Sequence, residues 1–209
     1  GVITFNHAED GGRLLWNCDF EGPAFAAESG ESRLIGLDGW YENTVYANRG
    51  WDGSWKVVER DGNRFAVCDV NETCPSDIVP FHAVQVLPGV FSVEVDYRRH
   101  GLAGNQPTLS VVDANGKYLG TMIAWPDRGD LAAISQSKVD GGRRIYENEH
   151  HGLGGFAEVG NWFGMKLVVD TNQRQVTGYL RAGQGEWVRL NDRPLPYYDH
   201  DAKDDEIFL

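Results

Sequence analysis

The dominant pattern along the chain is apolar-polar alternation with a period of two. Phe91-Ser-Val-Glu-Val-Asp-Tyr97 sets Phe91, Val93, Val95 and Tyr97 on one face and Ser92, Glu94 and Asp96 on the other, as a half-buried β-strand does. Residues 109–113 and 118–125 are two apolar runs separated by Ala114-Asn115-Gly116-Lys117. Asn-Gly between such runs predicts a hairpin whose two turn residues both take positive φ. Residues 162–170, 175–181 and 187–190, divided by Thr171-Asn172-Gln173-Arg174 and Ala182-Gly183-Gln184-Gly185, predict a three-stranded meander. Further strands are expected at 12–19, 55–59, 64–68, 82–87 and 204–209. No segment carries a sustained 3.6-residue apolar stripe, and only residues 130–137 are ambiguous between helix and strand. With no repeat, linker or low-complexity run, the expectation is one all-β domain over residues 1–209. Many short strands with Gly- and Asn-rich turns imply an antiparallel β-sandwich or barrel.

Composition narrows the setting. A chain of 209 residues buries a sizeable core without staples, and 41% hydrophobic content excludes disorder. A net charge of -12 opposes nucleic acid and anionic membrane surfaces as partners. No run of 18 apolar residues predicts a membrane-spanning helix, so no membrane insertion is expected. Gly1-Val2-Ile3-Thr4-Phe5 has neither a basic flank nor a long apolar region, so the sequence reads as a mature secreted, extracellular or periplasmic chain whose signal has been removed. Cys68 and Cys74 bracket a short polar loop, a spacing open to a disulfide or to two thiols, while Cys18 reads as a buried free thiol. Asn71-Glu72-Thr73 has the form of an N-glycosylation acceptor. Zinc is not expected, because no Cys-x-x-Cys and no His pair at helical spacing occurs.

The aromatic residues are the first candidate chemistry. The chain holds seven Trp and eight Tyr, more than a core of this size usually needs, and Trp40, Tyr41, Tyr46, Trp51 and Trp55 crowd one segment among Asn, Arg, Asp and Glu. Sugars present apolar C–H faces and hydroxyl edges, which aromatic platforms and polar groups match. Trp40 and Trp55 read as core; Tyr41, Tyr46 and Trp51, set in polar sequence, read as ligand-binding. Glu94, Asp96, Arg98 and His100 share one strand face and suit either the polar floor of a groove or plain solvation. Residues 140–155 form a glycine-bounded loop rich in donors, in which Arg144, Tyr146 and His150 are candidates for binding or gating. The adjacent His150 and His151 point to opposite sides of an extended chain, so they do not suit a shared metal ion.

Asn17-Cys18-Asp19-Phe20-Glu21-Gly22, the later Gly39-Trp40 pair and the closing Asp204-Asp205-Glu206-Ile207-Phe208-Leu209 resemble the concanavalin A-like superfamily of lectins and glucanases, including laminin-G-like modules and jelly-roll carbohydrate-binding modules. The resemblance implies a jelly-roll β-sandwich whose first and last strands lie side by side. It also implies a structural calcium there, held by Glu21 and Asp205; otherwise those carboxylates are solvated strand ends. Retaining glucanases of this group carry Glu-x-Asp-x-Glu, whereas Glu94-Val95-Asp96-Tyr97-Arg98 ends in a cation. Alginate-lyase-like jelly rolls use Arg, Gln, His and Tyr, which Arg98, Gln106, Tyr146, His150 and His151 match by residue type. If the chain is an enzyme, a polysaccharide lyase or glycoside hydrolase, Arg98, His150, Tyr146 and Glu94 are the catalytic candidates. The functions implied rank as a lectin-like domain recognising a polysaccharide or glycan, then such an enzyme, then a laminin-G-like adhesion module that binds protein.

Overall fold

A computed structural model of the protein describes residues 3–7, 13–26, 31–42, 55–68, 80–85, 88–98, 107–125, 131–135, 146–147, 159–204 and 206–208. In chain order its strands are β1 (Ile3–His7), β2 (Arg13–Cys18), β3 (Glu31–Arg33), β4 (Trp40–Glu42), β5 (Trp55–Arg60) and β6 (Asn63–Cys68). They continue with β7 (Pro80–Gln85), β8 (Val90–Arg98), β9 (Thr108–Asp113), β10 (Tyr118–Trp125), β11 (Leu131–Ser135) and β12 (Tyr146–Glu147). The last are β13 (Trp162–Asp170), β14 (Gln175–Ala182), β15 (Val188–Arg189), β16 (Leu195–Pro196) and β17 (Glu206–Phe208). The described pairings are antiparallel, and a single 3-10 turn at Pro23–Phe25 is the helical element among the described residues. The protein is an all-β, sandwich-like fold. None of its helices is long and apolar enough to cross a membrane among the described residues.

The chain separates into two compact units. The larger, Ile3–Asn17 with Val84–Leu209, holds the sandwich. One sheet runs β15-β14-β13-β8-β1-β2, with β16 also paired to β14, and the other includes β12-β11-β10-β9-β17. Alternation builds the core between them: Phe91, Val93, Phe163, Met165 and Leu167 point inward from the first sheet. Leu109, Val111, Leu119, Met122 and Ile207 meet them from the second. Each such side chain contributes about 1.5–3 kcal/mol on leaving water. The meander forms as expected, and Leu131–Ser135 of the ambiguous segment form strand β11.

Two expectations change. In the β9–β10 hairpin only Gly116 takes positive φ, at 74°, while Asn115 does not. The Asp113 carboxylate accepts the N–H groups of Asn115 and Lys117 at 2.8 and 2.9 Å, which holds Asn115 in the ordinary turn conformation and leaves the left-handed position to the glycine. The closing strand β17 pairs with β9, whereas β1 and β2 belong to the other sheet, so first and last strands do not lie side by side. Strand β1, which pairs with β8 from Ile3↔Val95 to His7↔Phe91, carried no sequence signal that separated it from an N-terminal tail.

The smaller unit, Gly1–Val2 with Cys18–Ala83, contains the β3-β5-β6 sheet and the β4–β7 pair. Asp61 and Gly62, both at positive φ, make the two-residue β5–β6 turn that matches strand twist. Phe20 packs on Phe25 and Trp40, with ring centroids 5.4 and 6.3 Å apart, and His82 meets Trp40 at 5.4 Å. Trp40 is buried, as expected of a core residue, and Cys18 beside it is a buried free thiol. Burial pushes that thiol's pKa up.

Candidate functional site

The outward face of the β15-to-β2 sheet carries the polar residues that alternate with the core. Strands β8 and β13 are paired throughout, so Glu94 lies opposite Lys166, Asp96 opposite Gly164, and Arg98 opposite Trp162. Strand β14 extends two of these rows, with Tyr179 beside Lys166 and Arg181 beside Gly164. Arg189 of β15 lies opposite Tyr179.

Glu94 and Asp96 each meet a cation from another strand of the sheet. Lys166 Nζ lies 2.7 Å from Glu94 Oε1, and Arg181 donates to Asp96 Oδ1 at 2.8 Å. The Asp96–Arg181 pair crosses the intervening strand β13, because Arg181 reaches over Gly164. A methyl group on Gly164 would stand 2.6 Å from Arg181 Nε and 2.8 Å from Trp187 Cη2, so glycine opens the space both side chains fill. The Trp187 ring lies 4.5 Å from the Arg181 guanidinium and 5.5 Å from the Lys166 ammonium, a doubly cationic setting that favours an indole face.

At the edge of this cluster, Trp162 is 37% exposed and Arg98 stands 6.0 Å over its ring. Trp162 and Gly164 are two residues apart on β13, so Trp162 and the tip of Trp187 mark points roughly 7 Å apart along one face. On the inner side of the same strands, Tyr97 stacks on Phe163 and donates its hydroxyl to the Thr108 carbonyl at 2.7 Å. Burial raises its pKa, which suits a structural phenol.

Of the expected site residues, the structure brings the ligand-binding candidates Asp96 and Arg98 and the catalytic candidate Glu94 together on this face. Tyr41, 39% exposed, belongs to β4 in the smaller unit. Tyr146 pairs through its backbone with Ser135 at the β11–β12 edge, its side chain lying outside the described residues. Tyr46, Trp51, His100, Gln106, Arg144, His150 and His151 also lie outside them, as do Asp205, Cys74, the Cys68 side chain and the Asn71 sequon. Glu21 accepts the Arg64 backbone N–H on Oε1 at 2.7 Å and the Arg64 guanidinium on its carbonyl oxygen at 3.1 Å. The calcium expected of Glu21 and Asp205 involves a residue, Asp205, outside the described residues; among the described ones no group of three His, Cys, Asp or Glu side chains is placed for a metal.

Sequence reasoning passed over Trp162, Gly164, Lys166, Arg181 and Trp187. Their signal lay in the meander: with Phe163, Met165 and Leu167 inward, Trp162, Gly164 and Lys166 must face outward. Compared with known proteins, the chain matches no family model and no curated protein.

Proposed function

We propose that the protein is a non-catalytic glycan-binding module whose ligand lies along the outward face of the β15-to-β2 sheet. Supporting this is one observation: two indoles, Trp162 and Trp187, share a sheet face with charged groups fixed by ion pairs. Indoles stack on the C–H faces of sugar rings, while guanidinium, ammonium and carboxylate groups hydrogen-bond hydroxyl edges. Groups already held in place lose little side-chain freedom when ligand arrives. Binding is favoured over cleavage because Glu94 and Asp96, the two carboxylates in hydrolase-like positions, are each engaged by a cation rather than offered to a substrate. Such a role belongs in an extracellular or periplasmic setting, where glycans are met.

The test is a glycan array followed by titration of intrinsic Trp fluorescence. At least one glycan class should bind, and Trp162→Ala should weaken it about tenfold, the equivalent of roughly 1.4 kcal/mol. Silence across neutral and acidic glycans, or full affinity in Trp162→Ala, sinks the proposal.

A further inference from the structure

We infer that the Arg98–Trp162 corner makes this face selective for sugars that carry a carboxylate, an inference that stands on the glycan-binding function proposed above. In the three rows of the face, Arg98, Lys166, Arg181 and Arg189 outnumber Glu94 and Asp96, a local cation excess in a chain of net charge -12. The cations are not equivalent. Lys166 and Arg181 are occupied by Glu94 and Asp96, and their side chains are about four-fifths buried. Arg98 is exposed and has no carboxylate partner among the described residues.

Its position gives the guanidinium a ligand geometry. It stands 6.0 Å over an indole that is itself exposed, at the end of β8 where β13 begins. A pyranose against Trp162 lies within reach of that guanidinium, which an exposed side chain can turn toward a substituent at the sugar's edge. A carboxylate at the ring edge offers two coplanar oxygens to the planar N–H fork, a match that a hydroxymethyl group lacks. The protein's overall negative charge opposes an anionic polymer only weakly at contact range. At physiological salt, charges more than about 8 Å away are largely screened, so the nearest cation dominates.

The experiment is calorimetric titration of the full chain with a uronate oligosaccharide and with the same oligosaccharide after reduction of its carboxyl groups to alcohols. The wild type should bind the uronate form about tenfold more tightly. In Arg98→Gln the ratio of the two affinities should fall to near one. Equal affinities in the wild type overturn the inference, as does a preference that persists in Arg98→Gln. Binding of neutral glycans alone on the array also overturns it while leaving the glycan-binding function standing; silence on the whole array removes both. Because the first comparison uses unaltered protein, the inference stays falsifiable even if Arg98→Gln folds poorly.

Discussion

At the scale of single residues, the face is organised by an absence. Gly164 sits mid-strand, where glycine ordinarily weakens pairing, and its missing side chain admits the Arg181 stem and the Trp187 ring. Gly164→Ala leaves the backbone free to keep its strand conformation, so its effect reports the crowding directly. The added methyl must displace Arg181 or Trp187 and loosen the Asp96 ion pair. We expect a loss of about 1–3 kcal/mol, in the range of overpacking, with Trp emission shifted to longer wavelength as Trp187 gains solvent. Denaturant unfolding followed by fluorescence measures both, and an unaltered spectrum with unaltered stability refutes the crowding account. The local pattern places this glycine on the outward face of a strand but says nothing of which side chains fill the space over it. Its partner Arg181 lies 17 positions away in the sequence, and their proximity follows only once the Thr171–Arg174 turn fixes Asp170 opposite Gln175.

At the scale of elements, the β9–β10 hairpin shows how a side chain can decide a turn. Asp113 is 2% exposed and accepts backbone N–H groups from Asn115, Lys117 and, at 3.0 Å, Lys203. Burial alone would raise its pKa, but these donors outweigh it and hold the carboxyl below its ordinary value. A depressed folded-state pKa means that the stabilisation is present above the unfolded value, about 3.9, and is lost as pH falls through the lower folded value. Asp113→Asn should therefore cost about 1–3 kcal/mol at neutral pH, as for a charged acceptor with buried donors. The gap between wild type and variant should shrink below about pH 4 and close once the wild-type carboxylate is protonated. Urea midpoints across that range test it, and a gap independent of pH contradicts the assignment. The Asn115-Gly116 pair was legible as a hairpin because its signal is local. The turn geometry was passed over although its cause is also local: Asp113 Oδ1 takes the Asn115 and Lys117 N–H groups, and residue 203 adds a donor to the other oxygen.

At the scale of the whole molecule, period-two alternation made the class of fold and the inward residues of β8 and β13 legible, because it records which face meets water. Strand order was hidden: β8 pairs with β13 and β1 across long sequence separations, set by how the two sheets close on each other rather than by local pattern. The site inherits that division. Glu94, Asp96 and Arg98 were visible as one polar face, but Lys166, Arg181 and Trp162 join them only through the β8–β13–β14 order. Strand β13 thus carries stability on one side and the proposed function on the other, and substitutions should separate them. Met165, fully buried between the sheets, should cost about 2–5 kcal/mol when cut to Ala, through lost burial and the cavity left behind. Well below its unfolding temperature, Met165→Ala should bind glycan as the wild type does, whereas Trp162→Ala should lose affinity with a much smaller stability change. Thermal unfolding and fluorescence titration of the two variants side by side give the measurement. If Met165→Ala loses affinity in the cold as Trp162→Ala does, the two faces of β13 are coupled through the sheet and the division fails.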